Sequence, residues 1–184
     1  MTRHKPEHLI HMVCGSTGAG KSAHAVELCG DIGAVHLSID EWMVTLFWDD
    51  SPDPIEFDWT IERVNRCETE MWSMAQQLSA YKIPVVLDLG FTTQDHRKKF
   101  VRLARESGLT VQLHFLDLPR AGRWQRVKGR NAARDAAKKG KRKLPGKAFQ
   151  LEVDRETFNF VEDMWEPPTD EEMAALNGVR VTES

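Results

Sequence analysis

Two features are scarce in this chain: long apolar runs and paired cysteines. No stretch approaches the roughly 20 consecutive apolar residues that a membrane-spanning helix needs, so no membrane partner is expected. The opening segment, Met1 to His8, is polar and carries Arg3 and Lys5, which does not fit a targeting sequence. A cytoplasmic location is the expectation. Cysteine occurs only as Cys14, Cys29 and Cys67, an odd set without a CxxC pair, which excludes a disulfide framework and a structural zinc site. His4, His8 and His11 have no neighbouring Cys or carboxylate to complete a metal set.

With 184 residues, 41% hydrophobic and 29% charged, the chain fits one compact domain over 1–184 that folds unaided. The net charge of -3 conceals an asymmetry. Between Arg120 and Lys147 stand twelve Lys or Arg and one acid, Asp135, whereas Glu152 to Glu183 holds ten acids against Arg155 and Arg180. The basic stretch calls for an anionic partner or open solvent.

Apolar runs alternate with segments of helical period, the order a parallel sheet flanked by helices requires. Strands are predicted at Leu9 to Cys14, Ala34 to Ile39, Ile83 to Leu89 and Val111 to Leu116, with a marginal last one at Val179 to Val181. Helices are predicted at Ser22 to Cys29, Ile61 to Tyr81, Gln94 to Glu106, Arg120 to Lys138 and Glu152 to Met164. In the second of these, Val64, Cys67, Met71, Met74, Ala75 and Leu78 recur at three and four residues and form an apolar, core-facing stripe. Gly30 and Gly33 break the chain before the second strand, and Gly108 closes a helix.

Gly15, Ser16, Thr17, Gly18, Ala19, Gly20, Lys21 and Ser22 spell GSTGAGKS, a full match to GxxxxGK[ST] placed between an apolar strand and a helix. Glycines let the backbone turn its N–H groups inward, and the following helix aims its positive end at the same point. The expected ligand is ATP with Mg²⁺. Lys21 supplies a mobile positive charge for the β- and γ-phosphates, and Ser22 offers a hydroxyl to the metal. A second metal contact is expected from an acid ending a neighbouring strand, and PVVLD supplies Asp88.

Asp40 ends the second predicted strand in LSIDEW, at the carboxyl edge where open α/β sheets bind ligands. A carboxylate there suits a base that takes the proton of an acceptor hydroxyl, and it also suits an N-cap on a helix starting at Glu41. The following aromatics Trp42, Phe47, Trp48, Phe57 and Trp59 fit an acceptor pocket wall or core packing equally well. The acids Asp49, Asp50, Asp53 and Glu56 favour a neutral or cationic acceptor. Arg123, Arg126, Arg130 and Arg134 line one face of the basic helix, and Arg126, Arg130 and Arg134 are the candidates to close over a triphosphate in a lid of about residues 120–147.

On GSTGAGKS, the aspartate of LSIDEW, LDLGFTTQDHRKKF and LHFLDLPRAGRWQRVKGRN, the chain resembles the small P-loop kinases that include polynucleotide 5′-hydroxyl kinase, zeta toxins and chloramphenicol phosphotransferase. The resemblance covers Leu9 to Arg134. It implies a P-loop NTPase fold of the nucleoside-kinase-like type, three α/β/α layers around a parallel sheet of about five strands with a basic helical lid. It also implies a base at Asp40, lid arginines between Arg126 and Arg134, and γ-phosphate transfer to a hydroxyl of a small molecule. Polynucleotide kinases carry an arginine three residues after that aspartate. Met43 stands there, which disfavours nucleic acid as acceptor. Two rival readings are an RNA-end kinase, suggested by the basic stretch, and a nucleotide-hydrolysing switch without an acceptor.

Overall fold

The computed structural model describes residues 10–139 and 153–182, without the side chains of Arg134 and residues 136–139. His4, His8, Leu9, Glu152 and the lid residues 140–147 lie outside the described residues.

β1 (Ile10–Cys14) is buried along its whole length and pairs in parallel with two neighbours, as a central strand must. β3 (Val85–Asp88) lies on one side of it, followed by β2 (Val35–Ser38). β4 (Val111–Leu116) and β5 (Val179–Val181) follow on the other, giving the all-parallel order β2-β3-β1-β4-β5. The chain leaves β1 for the edge strand β2, returns to β3 beside β1, and then crosses to β4 and β5 on the other side. That reversal opens a crevice at the carboxyl ends of the central strands.

Strand alternation splits the core in two. Ile10, Met12 and Cys14 join a large cluster with Val85, Leu87, Leu113 and Phe115 of the neighbouring strands. Helices α3 (Phe57–Ala80) and α4 (Gln94–Glu106) close it with Cys67, Met71, Ala75, Phe100 and Ala104. Val13, Val86 and Leu116 point the other way, toward Ala25 of α1 (Lys21–Ile32). Helices therefore cover both faces, and the expected three-layer α/β/α arrangement is present. On the α1 face a polar seam replaces part of the apolar packing, with His11 Nδ1 and His24 Nε2 each 3.2 Å from an opposite ring nitrogen of His114.

β4, β5 and α4 coincide with their predicted spans. Other boundaries moved for local reasons. Gly30 lies inside α1, and Gly33, at φ 68°, is the residue that ends it. Ile39 leaves the strand because the Ser38 side chain accepts the Glu41 N–H and starts α2 (Ile39–Phe47) two residues early. Met74 falls outside the buried stripe of α3 and is exposed, its place taken by Trp72 and Glu68.

The C-terminal segment is stitched to the sheet by one buried arginine. Arg97 is fully buried and forks onto Glu172 at 2.7 and 3.0 Å, while its Nη1 donates to the carbonyls of Phe91 and Glu166 at 3.1 and 2.8 Å. The Glu166 N–H in turn donates to the Thr92 carbonyl at 3.0 Å. The loop after β3 and the segment before α7 (Asp170–Ala175) are thereby held as one unit. Arg97→Ala is expected to destabilise the protein by about 3–5 kcal/mol, because it strands the Glu172 carboxylate and two carbonyls. Denaturant unfolding measures it; a loss under about 1 kcal/mol would contradict this reading of the stitch.

Candidate active site

Between β1 and α1 the chain makes a tight loop whose geometry depends on glycine. Gly18 and Gly20 have φ of 82° and 95°, and Gly20 forms the N-cap of α1 without any side-chain bond to its N–H groups. No acid occupies the first turn of α1, so neither a capping side chain nor a first-turn carboxylate offsets the positive end of the helix. Lys21 folds back over the loop, its Nζ donating to the Ser16 carbonyl at 3.4 Å.

The loop opens on a cavity of about 210 Å³ lined by Gly15, Ser16, Thr17, Lys21, Ile39, Asp40, Asp88, Gly90, Thr92 and Val161. Six of the residues singled out from sequence thus meet in one place. Asp88 is buried at the end of β3, beside His36 Nε2 at 3.5 Å. Asp40 sits in the first turn of α2 and is open to the cavity mouth, and it is not the N-cap of that helix, since Ser38 takes that role.

Charges of opposite sign face each other across the cavity. Burial lowers the Lys21 pKa, and Asp88 and then Asp40 push it back up. The Asp40 pKa is raised, first by the water its surroundings displace and then by Asp88, while Lys21 and Arg130 oppose the rise. Arg130 thereby acts on both residues from α5 (Arg120–Lys139), where it is half-buried. Arg126 is exposed, with its Nη1 3.5 Å from the Ala19 carbonyl of the loop. Arg134 lies on the same helix, and its side chain is outside the described residues.

Other predictions need correction. Arg123 does not join a row of available guanidinium groups: it is buried, paired with Glu162 at 2.5 and 2.7 Å, and donates to the Leu118 and Thr17 carbonyls at 2.8 and 3.3 Å. None of the five aromatics lines the cavity. Trp42 and Phe47 pack on the large core cluster, Arg63 stacks on Trp59 at 3.9 Å, and Trp48 and Phe57 are exposed. Ser22 follows Lys21 in the first turn of α1, exposed beside the cavity lining, a placement that does not contradict its expected contact to a metal. Thr92, Val161 and Glu162 were not legible as site residues, because nothing local marks them.

Asp40 and Asp88 are the carboxylates that line the cavity. Among the described residues no group of three or more His, Cys, Asp or Glu could hold a metal by itself. A cation here would lean on one or two protein oxygens plus phosphate and water, as Mg²⁺ does.

Packing between the loop and α5 leaves no room at Gly18, where an added Cβ would lie 2.5 Å from the Arg123 carbonyl oxygen. Gly18→Ala is expected to cost more than about 2 kcal/mol, combining left-handed strain with this clash. Gly129→Ala, in the middle of α5 with nothing within 4 Å of the new methyl, is expected to stabilise by about 0.5–1 kcal/mol. Paired unfolding curves test both; equal effects would contradict the close approach.

A protein-family model described as an AAA domain matches residues 10–148. No curated protein matches the sequence at a significant level. Solved structures share the fold at low identity. A sugar kinase from Janibacter sp. HTCC2649 aligns at 14% identity with a TM-score of 0.61, over 94% of this chain and 84% of that one. The APS kinase of Mycobacterium tuberculosis, in complex with AMPPNP and APS, aligns at 18% identity and 0.51, over 86% and 98%. A chain of the Pnkp1/Rnl/Hen1 RNA repair complex aligns at 15% identity and 0.55, over 90% and 49%. The glycine loop, the central strands and the arginine-bearing part of α5 all fall within the residues matched by the family model, and the chain belongs to the AAA-domain family of P-loop proteins.

Proposed function

We propose that this chain is an ATP-dependent kinase that transfers the γ-phosphate to a hydroxyl of a small-molecule acceptor. The observation that carries the proposal is the convergence of Lys21, Asp40 and Asp88 on one cavity beside a glycine loop and the side-chain-uncapped N-terminus of α1.

In this reading the loop amides and the start of α1 grip the β- and γ-phosphates of ATP, and Lys21 follows the negative charge as it moves toward the leaving group. The acceptor oxygen attacks the γ-phosphorus while the bond to the β–γ bridging oxygen breaks and ADP leaves. Asp40 takes the proton released from the attacking hydroxyl. Arg130 and Arg126 approach from α5, where charge spreading over the transferring group is best stabilised by fixed cations. Mg²⁺ would be held by Asp88, which lines the cavity, with the Ser22 hydroxyl adjoining from the first turn of α1 beside Lys21, and would supply charge neutralisation at the phosphates when bound.

A small neutral or cationic acceptor fits better than a nucleic acid. With Asp88 assigned to the metal, Asp40 is the cavity carboxylate left to meet the acceptor, and Met43 packs against the hydrophobic core. An arginine has no counterpart there.

The test is transfer from radiolabelled ATP to a panel of sugars, nucleosides, antibiotics and 5′-hydroxyl oligonucleotides. We expect a small-molecule product, with Asp40→Asn lowering kcat by about 10²–10⁴ while leaving the nucleotide Kd within a few-fold. Because Asp40 must be ionised to accept a proton, the acid limb of kcat/KM should lie above the ordinary carboxyl value of 3.8. Arg130→Ala should move that limb to still higher pH, since the arginine favours the charged form. Full transfer by Asp40→Asn would remove the assignment, and phosphate released only to water would favour a hydrolysing switch.

A further inference from the structure

Helix α6 (Arg155–Met164) lies beyond the residues matched by the family model, yet it reaches the phosphate loop. Its Glu162 accepts the Ser16 hydroxyl through Oε1. The same oxygen takes Arg123 Nη1 at 2.5 Å, Oε2 takes Nη2 at 2.7 Å, and Arg120 Nε stands 3.8 Å from Oε2. The Glu162 side chain is 9% exposed, so this is an ion pair in a nearly dry setting. Neighbouring contacts fix the helix that carries it. Phe158, fully buried, packs on Trp124 with ring centroids 5.2 Å apart, and Asn159 accepts from Arg120 at 2.8 Å.

Glu162 is ionised in this setting: burial raises its pKa, but the bonds from Arg123 and Ser16 outweigh that and hold it below the usual carboxyl value. A carboxylate is therefore bonded directly to the second residue of a loop whose N–H groups favour anions. One negative charge already sits at the wall of the site. It also engages both Nη atoms of Arg123, a guanidinium already at the same loop, where Nη1 donates to the Thr17 carbonyl at 3.3 Å.

We propose that Glu162 is a positioning residue that acts as an internal anion: it ties Ser16 to Arg123 and so weakens the hold of the loop on a bound polyphosphate. The inference rests on the kinase reading for the identity of the ligand. Two effects of one residue then carry opposite signs. The tie joins α6, α5 and the loop, so removing it loosens the fold. Removing it also deletes a repulsion and releases Arg123 toward the phosphates, so it tightens nucleotide binding. A weakened grip on ADP also speeds release, a step that limits many kinases.

The experiment is calorimetric titration of the full chain with Mg²⁺ and the non-hydrolysable analogue AMPPNP, alongside thermal unfolding without nucleotide. Glu162→Gln is expected to lower the Kd by about 3- to 10-fold at low salt, with the gain shrinking as salt screens the charge. It is expected at the same time to lower the unfolding midpoint by a few degrees, roughly the shift for one lost contact. Glu162→Asp, which keeps the charge, should show no gain in affinity. A merely structural role would move stability and affinity downward together, and that outcome overturns the proposal. Should Glu162→Gln fail to fold, a carboxyl ¹³C titration of Glu162 in the unaltered protein gives the answer: its pKa should rise on nucleotide binding, and an unchanged value overturns the proposal. Binding by the unaltered chain is the separate test of the kinase reading: no binding defeats that reading, whereas binding without a gain in Glu162→Gln defeats this inference alone.

Discussion

The site depends on a balance of four charges in a small, partly dry space. Burial draws Lys21 below its ordinary pKa, with Asp88 and Asp40 opposing that fall, while Arg130 supports the ionised form of Asp40 and opposes the charge on Lys21. Remove one and the others are mismatched in a medium where an uncompensated ion is costly. The glycine loop makes this balance possible, because peptide dipoles hold negative charge without adding a counter-charge of their own. Adding a triphosphate upsets the balance by several negative charges. That is why a divalent cation and the arginines of α5 belong to the same account.

The scaffold places these groups on rigid elements. Lys21 opens α1, Asp40 lies in the first turn of α2, Asp88 ends β3, and the strands are locked in parallel register from Val35↔Val85 to Cys14↔Phe115. The C-terminal region then joins the site from outside the family-matched residues. Arg97 ties it to the loop after β3, Glu166 bonds Thr92, and Val161 and Glu162 reach the cavity and the phosphate loop. The acidic tail of the sequence therefore has a structural use. Several of its carboxylates neutralise arginines, Glu162 with Arg123 and Glu172 with Arg97, and α6 completes a wall that the P-loop core leaves open.

What could be read from sequence was local. The glycine loop announces itself by spacing, β4 and α4 by uninterrupted pattern, and Asp88 by its place at the end of an apolar run. Asp40 was found for a reason that needed amending, since Ser38 caps the next helix and moves the aspartate from strand end to helix turn. The aromatics after Asp40 misled because indole and phenyl groups serve cores and pockets alike, and here Trp42 and Phe47 serve the core. Arg123 and Arg130 looked equivalent on a helical wheel. Arg123 is told apart by its ion pair with Glu162, 39 residues further along the chain, and Glu162 in turn lies 146 residues from Ser16. No periodicity records a contact of that span.

The central claim, that the loop before Lys21 holds a polyphosphate through its peptide N–H groups, is tested most directly by calorimetry with Mg²⁺ and ATP or its non-hydrolysable analogue. The account predicts saturable one-to-one binding by the unaltered chain and a loss of at least about 100-fold in affinity for Lys21→Ala, in line with removing a buried charge-assisted contact. Absence of binding by the unaltered chain, or binding indifferent to Lys21→Ala, would contradict it.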